Sequence, residues 1–440
     1  MIQEFSVENY RSINTKQTLS FLSPENIQEE DEYLSIEINE SVRLMKLCVL
    51  YGYNASGKTN ILKALEFVRN LVLTGPDTKD DETDFIPFAL DEETCKQPGI
   101  FALIFFIDKI SYEYTLCVDR NRIFRESLVY TPGGRPITLF SRYFDVEKSV
   151  SKLTIGSDCA LTAKEKIILN GNTLRNSTVL NAVQKSNIHS PTLDAVILYF
   201  KETIMPIITS TVLLRDWSLE RLASDSTKKQ FFAKLMEKAD FQIAGLEIKK
   251  KRISVADELL DTLTEQIVPN GLLKQLKKTE HLETIELFFT HETTHGSYQI
   301  GVEHESQGSL RYFRLGGVLQ ELLTEPHFVA LDELESSLHQ DLANFYLQMF
   351  LKNSNESQML VTTHAQYIMG LDFMRDYMVW FCEKDETGAS KYYSAEDFEL
   401  TSDNNLVNSY QSGNLGAKPI LGNPKFNRIE NSNKPSSSWE

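Results

Sequence analysis

The period of the hydrophobic positions changes several times along the chain, and each change marks an element. Ile2 to Val7 alternate with polar residues, the pattern of a half-buried strand. Lys46 to Tyr51 (Lys-Leu-Cys-Val-Leu-Tyr) is a short continuous apolar run, which predicts a strand buried on both faces. From Asn60 to Leu73, Ile61, Leu62, Leu65, Val68 and Leu71 recur at helical spacing. Residues 74–98 are acidic, contain Pro76, Pro87 and Pro98, and read as a loop region. Ile100 to Tyr130 holds three strand-like runs separated by turn residues, which predicts an antiparallel meander.

From about 163 to 280 most of the chain reads as helix with Lys- and Glu-rich faces. Pro191, Pro206 and Pro269 interrupt it and no heptad is sustained, so a compact helical lobe is expected rather than a long hairpin. Glu283 to Val302 returns to strands about a turn at Thr294-His295-Gly296, and 309–400 alternates helix with strand. Gly422 to Glu440, rich in Asn, Ser, Pro and Lys, reads as a disordered tail. There is no internal repeat. The layout is an α/β chain: an N-terminal half-core over 1–150, a mainly helical insertion over 151–282, a C-terminal half-core over 283–421 and a tail over 422–440.

Composition narrows the function. With roughly 100–200 residues per domain, 440 residues allow two to four domains, or one large domain with an insertion. Forty-five basic and 62 acidic side chains leave a net charge of −17, so any nucleic-acid contact must use a local patch. Basic clusters at Lys249-Lys-Lys-Arg252 and at Lys274, Lys277 and Lys278 read first as a solvated helix or strand face, with a local nucleic-acid or partner patch as the alternative. The five cysteines include no C-x-x-C pair, which argues against a disulfide framework, a zinc site or a zinc hook and points to a reducing cytoplasm. No run approaches the roughly 18–20 apolar residues of a membrane span, and the first ten residues lack the pattern of a signal peptide.

The chemistry begins at Gly52-Tyr-Asn54-Ala55-Ser56-Gly57-Lys58-Thr59, which fits G-x-x-x-x-G-K-[ST] at every fixed position. A buried strand precedes it and an amphipathic helix, opening through Asn60, follows. Glycines let the backbone wrap a phosphate, and the helix N-terminus adds partial positive charge. Lys58 reaches the β- and γ-phosphates and Thr59 holds Mg²⁺ in such a loop. Phe328-Val-Ala-Leu-Asp332-Glu333 is an apolar strand ending in two carboxylates, suited to the Mg²⁺ shell (Asp332) and to polarising an attacking water (Glu333). Met359-Leu-Val-Thr-Thr-His364 is a strand ending in an imidazole that can bond the γ-phosphate or the water. Glu305-Ser306-Gln-Gly308-Ser309 opens a helix and suits either a phosphate or an ordinary N-cap. No Asn-Lys-x-Asp guanine signal occurs, so ATP is expected rather than GTP. His291-Glu-Thr-Thr-His295 matches H-E-x-x-H, but its flanks are strand-like and no third ligand is in view, so it reads as a decoy.

Phosphate loop, long insertion, Ser-x-Gly helix start, apolar-Asp-Glu and strand-His, in that order, resemble the ABC-type ATPase head of SMC- and OLD-like proteins. The resemblance implies a mixed sheet with flanking helices, an antiparallel β subdomain and an inserted helical lobe. It implies ATP and Mg²⁺ as cofactors, and Ser306 and Gly308 binding the γ-phosphate held by the opposite subunit, so that ATP joins two heads. Arg11, in Asn9-Tyr-Arg-Ser-Ile13, stands where many such heads carry a basic residue near the nucleotide. The segments Tyr377 to Asp385 and Tyr410 to Pro419 resemble the AbiL- and RloA-like AAA-type ATPases of abortive-infection and restriction-associated loci. That likeness implies a defence switch acting on a separately encoded effector, often a TOPRIM-type nuclease. A DNA-repair or recombination ATPase is the alternative. The chain departs from the broader pattern in Gln307 within the signature, in Leu334 where proline is common, and in His339 near the D-loop aspartate position. Gln184 is the nominal Q-loop glutamine.

Overall fold

The computed structural model describes residues 1–25, 28–148, 150–209, 226–239, 243–254, 281–398, 406–419 and 422. The strands are β1 (Ile2–Glu8), β2 (Gln17–Ser20), β3 (Ser35–Asn39), β4 (Val42–Met45), β5 (Leu47–Tyr51), β6 (Gly99–Ile107), β7 (Ile110–Val118), β8 (Ile123–Thr131), β9 (Ile137–Asp145), β10 (Val150–Ile155), β11 (Ile243–Ser254), β12 (His281–Thr293), β13 (Gly296–Gly301), β14 (Phe328–Leu331), β15 (Gln358–Thr363), β16 (Val379–Lys384) and β17 (Ser390–Ser394). The helices are α1 (Lys58–Leu73), α2 (Ala163–Asn172), α3 (Val179–Gln184), α4 (Pro191–Leu198), α5 (Ser226–Lys238), α6 (Gln307–Thr324), α7 (Gln340–Asn353) and α8 (Leu406–Gln411).

A five-stranded sheet in the order β14-β15-β5-β16-β17 carries the chemistry. Its first four strands are parallel and β17 is antiparallel. Every residue of β5, β14 and β15 is buried, which is why β5 and β14 read as continuous apolar runs and β15 carries one at Met359 to Val361, rather than alternation. Register then sets the site. Tyr51 lies opposite Thr363, and Leu331 opposite Val361, so the strands end at one edge and deliver the phosphate loop, Asp332-Glu333 and His364 together. Ile204 and Ile208 bridge in parallel to Phe328 and Leu331, extending the sheet beyond β14.

A seven-stranded antiparallel sheet, β10-β9-β8-β7-β6-β1-β2, stands beside it, with the expected meander as β6 to β8. The fold is α/β, with a large mixed sheet, an antiparallel β subdomain and flanking helices, as the sequence leads one to expect of an ABC-type P-loop head.

Two segments differ from the sequence reading. The meander continues through β9 and β10 to Ile155, beyond the expected Tyr130 and into the first residues of the span read as the insertion. The helical reading of 163–280 holds for α2, α3, α4 and α5, but Ile243–Ser254 is a strand paired along its length with β12. Its Lys249-Lys-Lys-Arg252 run spaces charges without helical phase, and the pairing with apolar β12 outweighs its weak local preference. The expected helix over 255–280, with Lys274, Lys277 and Lys278, and the expected tail beyond Gly422 lie outside the described residues.

A buried ion pair fastens the antiparallel sheet to α3. Glu126 and Arg142 face each other across β8 and β9, both side chains fully buried, 3.7 Å apart. Glu126 accepts from the Tyr114 hydroxyl (3.0 Å) and from the Val179 N–H at the start of α3 (2.9 Å). Arg142 donates to the carbonyls of Ser177 (2.6 Å) and Leu174 (2.8 Å). Burial pushes the Glu126 carboxyl up to about 7, against the pull of Arg142 and the Val179 N–H. Arg142→Met leaves that carboxylate buried without its cation and is expected to cost about 3–5 kcal/mol in denaturant unfolding. Adding Glu126→Leu is expected to recover part of the loss, since the isolated charge is then gone.

Candidate functional site

The phosphate loop runs from the end of β5 into α1. Gly57 caps the helix at φ +117°, a conformation side chains avoid, and a Cβ there would meet the Ser390 hydroxyl at 2.0 Å. A Cβ on Gly52 would lie 2.4 Å from the Cys382 carbonyl oxygen. Asn54 and Ala55 form the exposed crest of the loop, while Ser56 is buried. Lys58 is buried and donates to the carbonyls of Gly52 (2.8 Å) and Tyr53 (3.2 Å), so its ammonium lies across the mouth of the loop. Burial lowers its pKa, with Cys382, Asp332, Glu333 and Glu335 acting in the opposite direction.

Thr59 donates to both Asp332 oxygens, at 3.2 and 3.0 Å, and the Thr362 hydroxyl donates to Asp332 at 2.5 Å. A hydroxyl and a carboxylate meeting at a helix N-terminus are hard oxygen donors of the kind Mg²⁺ takes alongside phosphate oxygens. Glu333 follows at φ +53°, held by its N–H on the Thr362 hydroxyl (3.0 Å). A non-glycine residue in that region is strained by about 1–2 kcal/mol, and here the strain turns Glu333 off the strand path. His364 is exposed at the end of β15; its backbone N–H donates to Glu335 at 2.9 Å, and its Nδ1 lies 2.9 Å from the same carboxylate oxygen.

The structure adds residues that motif reading missed. Asn60 donates to Ser12 (2.7 Å), Ser12 pairs with Ser390 (2.7 Å), and Ser390 donates to the Ser56 carbonyl (2.6 Å). Tyr392 donates to the Gly57 carbonyl at 2.8 Å. β17 thus props the phosphate loop from behind, a tertiary contact that leaves no local signature. Glu335 was visible only as the third acid of Asp332-Glu333-Leu334-Glu335.

Arg11 lies beside this network at φ +53°, its guanidinium 5.5 Å from the Tyr10 ring centre and donating to the Tyr10 hydroxyl at 3.2 Å. It lines a cavity of about 310 Å³ on the flank of α1, with Lys63, Glu66, Asn70 and Asp84. Ser12, rather than Arg11, makes the contact to the helix start.

Ser306 caps α6, accepting from the Ser309 N–H at 3.0 Å. A Cβ on Gly308 would lie 3.2 Å from the Ser337 carbonyl oxygen, so the signature turn sits against the loop after Glu333. Among the described residues, the Ser306 side chain bonds only Ser309 and makes no bond to the phosphate loop of its own chain. His339 caps α7, its ring accepting from the Asp341 N–H at 3.3 Å.

Two sequence suggestions fall away from the site. Gln184 donates to the carbonyl oxygens of Val72 (2.8 Å) and Leu180 (3.4 Å), at the far end of α1. At 1.5 Å per residue that end is about 20 Å from Lys58, so Gln184 is no Q-loop glutamine. His291 lies on β12 opposite Tyr298 and pairs with Glu305 (2.5 Å), while His295 is in the turn. Among the described residues no cluster of three or more His, Cys, Asp or Glu side chains could hold a metal.

A family model described as "AAA domain, putative AbiEii toxin, Type IV TA system" matches residues 47–155 and 186–370, well over half the chain. The chain belongs to that family. The matched segments of this AAA-family chain take in the phosphate loop, Ser306, Asp332-Glu333 and His364. The family is one of P-loop ATPases, which implies nucleotide binding and ordinarily Mg²⁺. No curated protein matches the chain. Among solved structures it is similar to the SMC head domain from Thermotoga maritima, at 12% identity and TM-score 0.42, covering 91% of this chain and 99% of that one. An SMC head bound to the C-winged helix domain of ScpA matches at 14% identity and TM-score 0.43, covering 89% and 97%. The Smc head with an extended coiled coil bound to the C-terminal domain of ScpA, from Pyrococcus furiosus, matches at 13% and 0.38, covering 89% and 96%. Among the described residues no helix is long and apolar enough to cross a membrane.

Proposed function

We propose that the chain is an ATP-hydrolysing switch of a bacterial anti-phage system of the AbiL- or RloA-like kind, which closes head to head on ATP and controls a separate effector, probed first as a nuclease. The observation that carries the reading is the convergence of Thr59, Asp332, Glu333 and His364 at one sheet edge while Ser306 is bonded away from its own phosphate loop. In this reading one chain supplies part of the γ-phosphate's partners, and a second chain's Ser306 and Gly308 would supply the rest.

In this account the loop from Gly52 to Thr59 and Asn60 cradles the phosphates, and Lys58 turns from the Gly52 and Tyr53 carbonyls to the β- and γ-oxygens. Thr59 and Asp332 would hold Mg²⁺, whose chemistry there would be to neutralise charge on the phosphate oxygens. Glu333 orients the attacking water, His364 bonds the water or the γ-phosphate, and Arg11 in its cavity meets the nucleotide beside the loop. The −17 net charge favours a protein partner over a nucleic acid.

A pull-down of the Glu333→Gln protein from its host with ATP and Mg²⁺, read by native mass spectrometry, tests the switch. A stoichiometric complex with a nuclease-like protein supports it. A bare dimer carrying DNA would instead favour a DNA-repair ATPase, whose contact would then be sought at Lys249 to Arg252 on β11.

A further inference from the structure

Glu335 lies two residues beyond Glu333, and no motif assigns it a role. One of its carboxylate oxygens accepts from the backbone N–H of His364 at 2.9 Å and lies 2.9 Å from the Nδ1 of the same residue. The other, Oε2, is buried and has no hydrogen-bond partner, and the side chain is only 11% exposed. Behind it stand Tyr51, the residue before the phosphate loop, and Tyr367, three residues beyond His364. Both hydroxyls are buried and without a partner. Burial, with the charge of Glu335 adding to it, pushes Tyr367 up to about 12 and raises Tyr51 well above the usual phenol value. Both phenols therefore keep their protons at neutral pH and are donors facing a carboxylate.

Nδ1 approaches the same oxygen to 2.9 Å, where a bare ring nitrogen would set its lone pair against a carboxylate, so the approach favours the proton on Nδ1. We infer that Glu335 is a positioning residue that keeps His364 protonated on Nδ1 and presents Nε2 to the reaction. The ring is 57% exposed and would otherwise turn freely about its side-chain bonds, so the backbone bond to Glu335 together with the close approach of Nδ1 to the same carboxylate biases both its tautomer and its direction. While the imidazole is neutral, Nε2 is then an acceptor for the attacking water and not a donor to phosphate. This rests on the hydrolytic reading above and deepens it by choosing between the two roles open to His364.

The test is nitrogen-15 NMR of the full chain labelled at histidine, at a pH where imidazole is neutral, with the His364 signals identified by their loss in His364→Gln. Wild type is expected to show Nδ1 protonated and Nε2 bare. Glu335→Ala is expected to move the ring toward an even mixture and to lower kcat about tenfold with KM unchanged. The near-isosteric Glu335→Gln, whose amide oxygen can still accept, is expected to restore most of the tautomer preference. An Nε2-protonated His364 in wild type, or a tautomer indifferent to Glu335→Ala, would overturn the inference. If wild type hydrolyses no ATP, the hydrolytic reading fails, whereas the NMR result still decides the tautomer.

Discussion

Lys58→Ala is expected to weaken ATP binding about a hundredfold, as measured by calorimetry, with the fold intact. The ammonium is the one cation that the loop itself aims at the phosphates, and in the free protein it is held by the Gly52 and Tyr53 carbonyls. Charge-assisted bonds of this kind contribute about 1.5–3 kcal/mol each, and about 1.4 kcal/mol corresponds to a factor of ten. Removing Lys58 also relieves its burial, which already lowers its pKa, so unfolding midpoints should hold or rise slightly. Equal ATP affinity in Lys58→Ala and wild type would remove the phosphate loop from the account.

Glu333→Gln is expected to separate binding from turnover. The amide keeps the shape of the side chain and the bond from its backbone to Thr362, so ATP and Mg²⁺ should bind as in wild type. It cannot take a proton or polarise water as a carboxylate does, and kcat should fall by about 10²–10⁴. The strained backbone at this residue makes a second variant informative. Glu333→Gly should tolerate the positive φ and yet lose as much activity, showing that the carboxylate rather than the turn matters. A Glu333→Gln protein turning over ATP within threefold of wild type would sink this role.

The parts of the site that follow from short sequence pieces were legible. β5, β14 and β15 could be read because strands buried on both faces are built around continuous apolar runs, and the phosphate loop because its glycines meet fixed steric demands at Gly52 and Gly57. Asp332, Glu333 and His364 could be placed because parallel strands end at one edge. What escaped depends on contacts between distant segments. Ser12 and Ser390 are 378 residues apart, and Thr362 reaches Asp332 across neighbouring strands. Gln184 was chosen for its residue type in a helical stretch, and packing of α3 against the far end of α1 removed it. β11 was lost to helix because a Lys-rich run has no period of its own, and its pairing with β12 decides its state.

The most direct test of the central claim, that ATP closes two heads over a shared γ-phosphate, is sedimentation of the Glu333→Gln protein with and without ATP and Mg²⁺. The account predicts that nucleotide doubles the mass, and that Ser306→Arg, placed at the signature turn away from its own chain's loop, abolishes the doubling while leaving ATP bound. A protein that binds ATP yet keeps one mass throughout, or that dimerises regardless of Ser306→Arg, would contradict it.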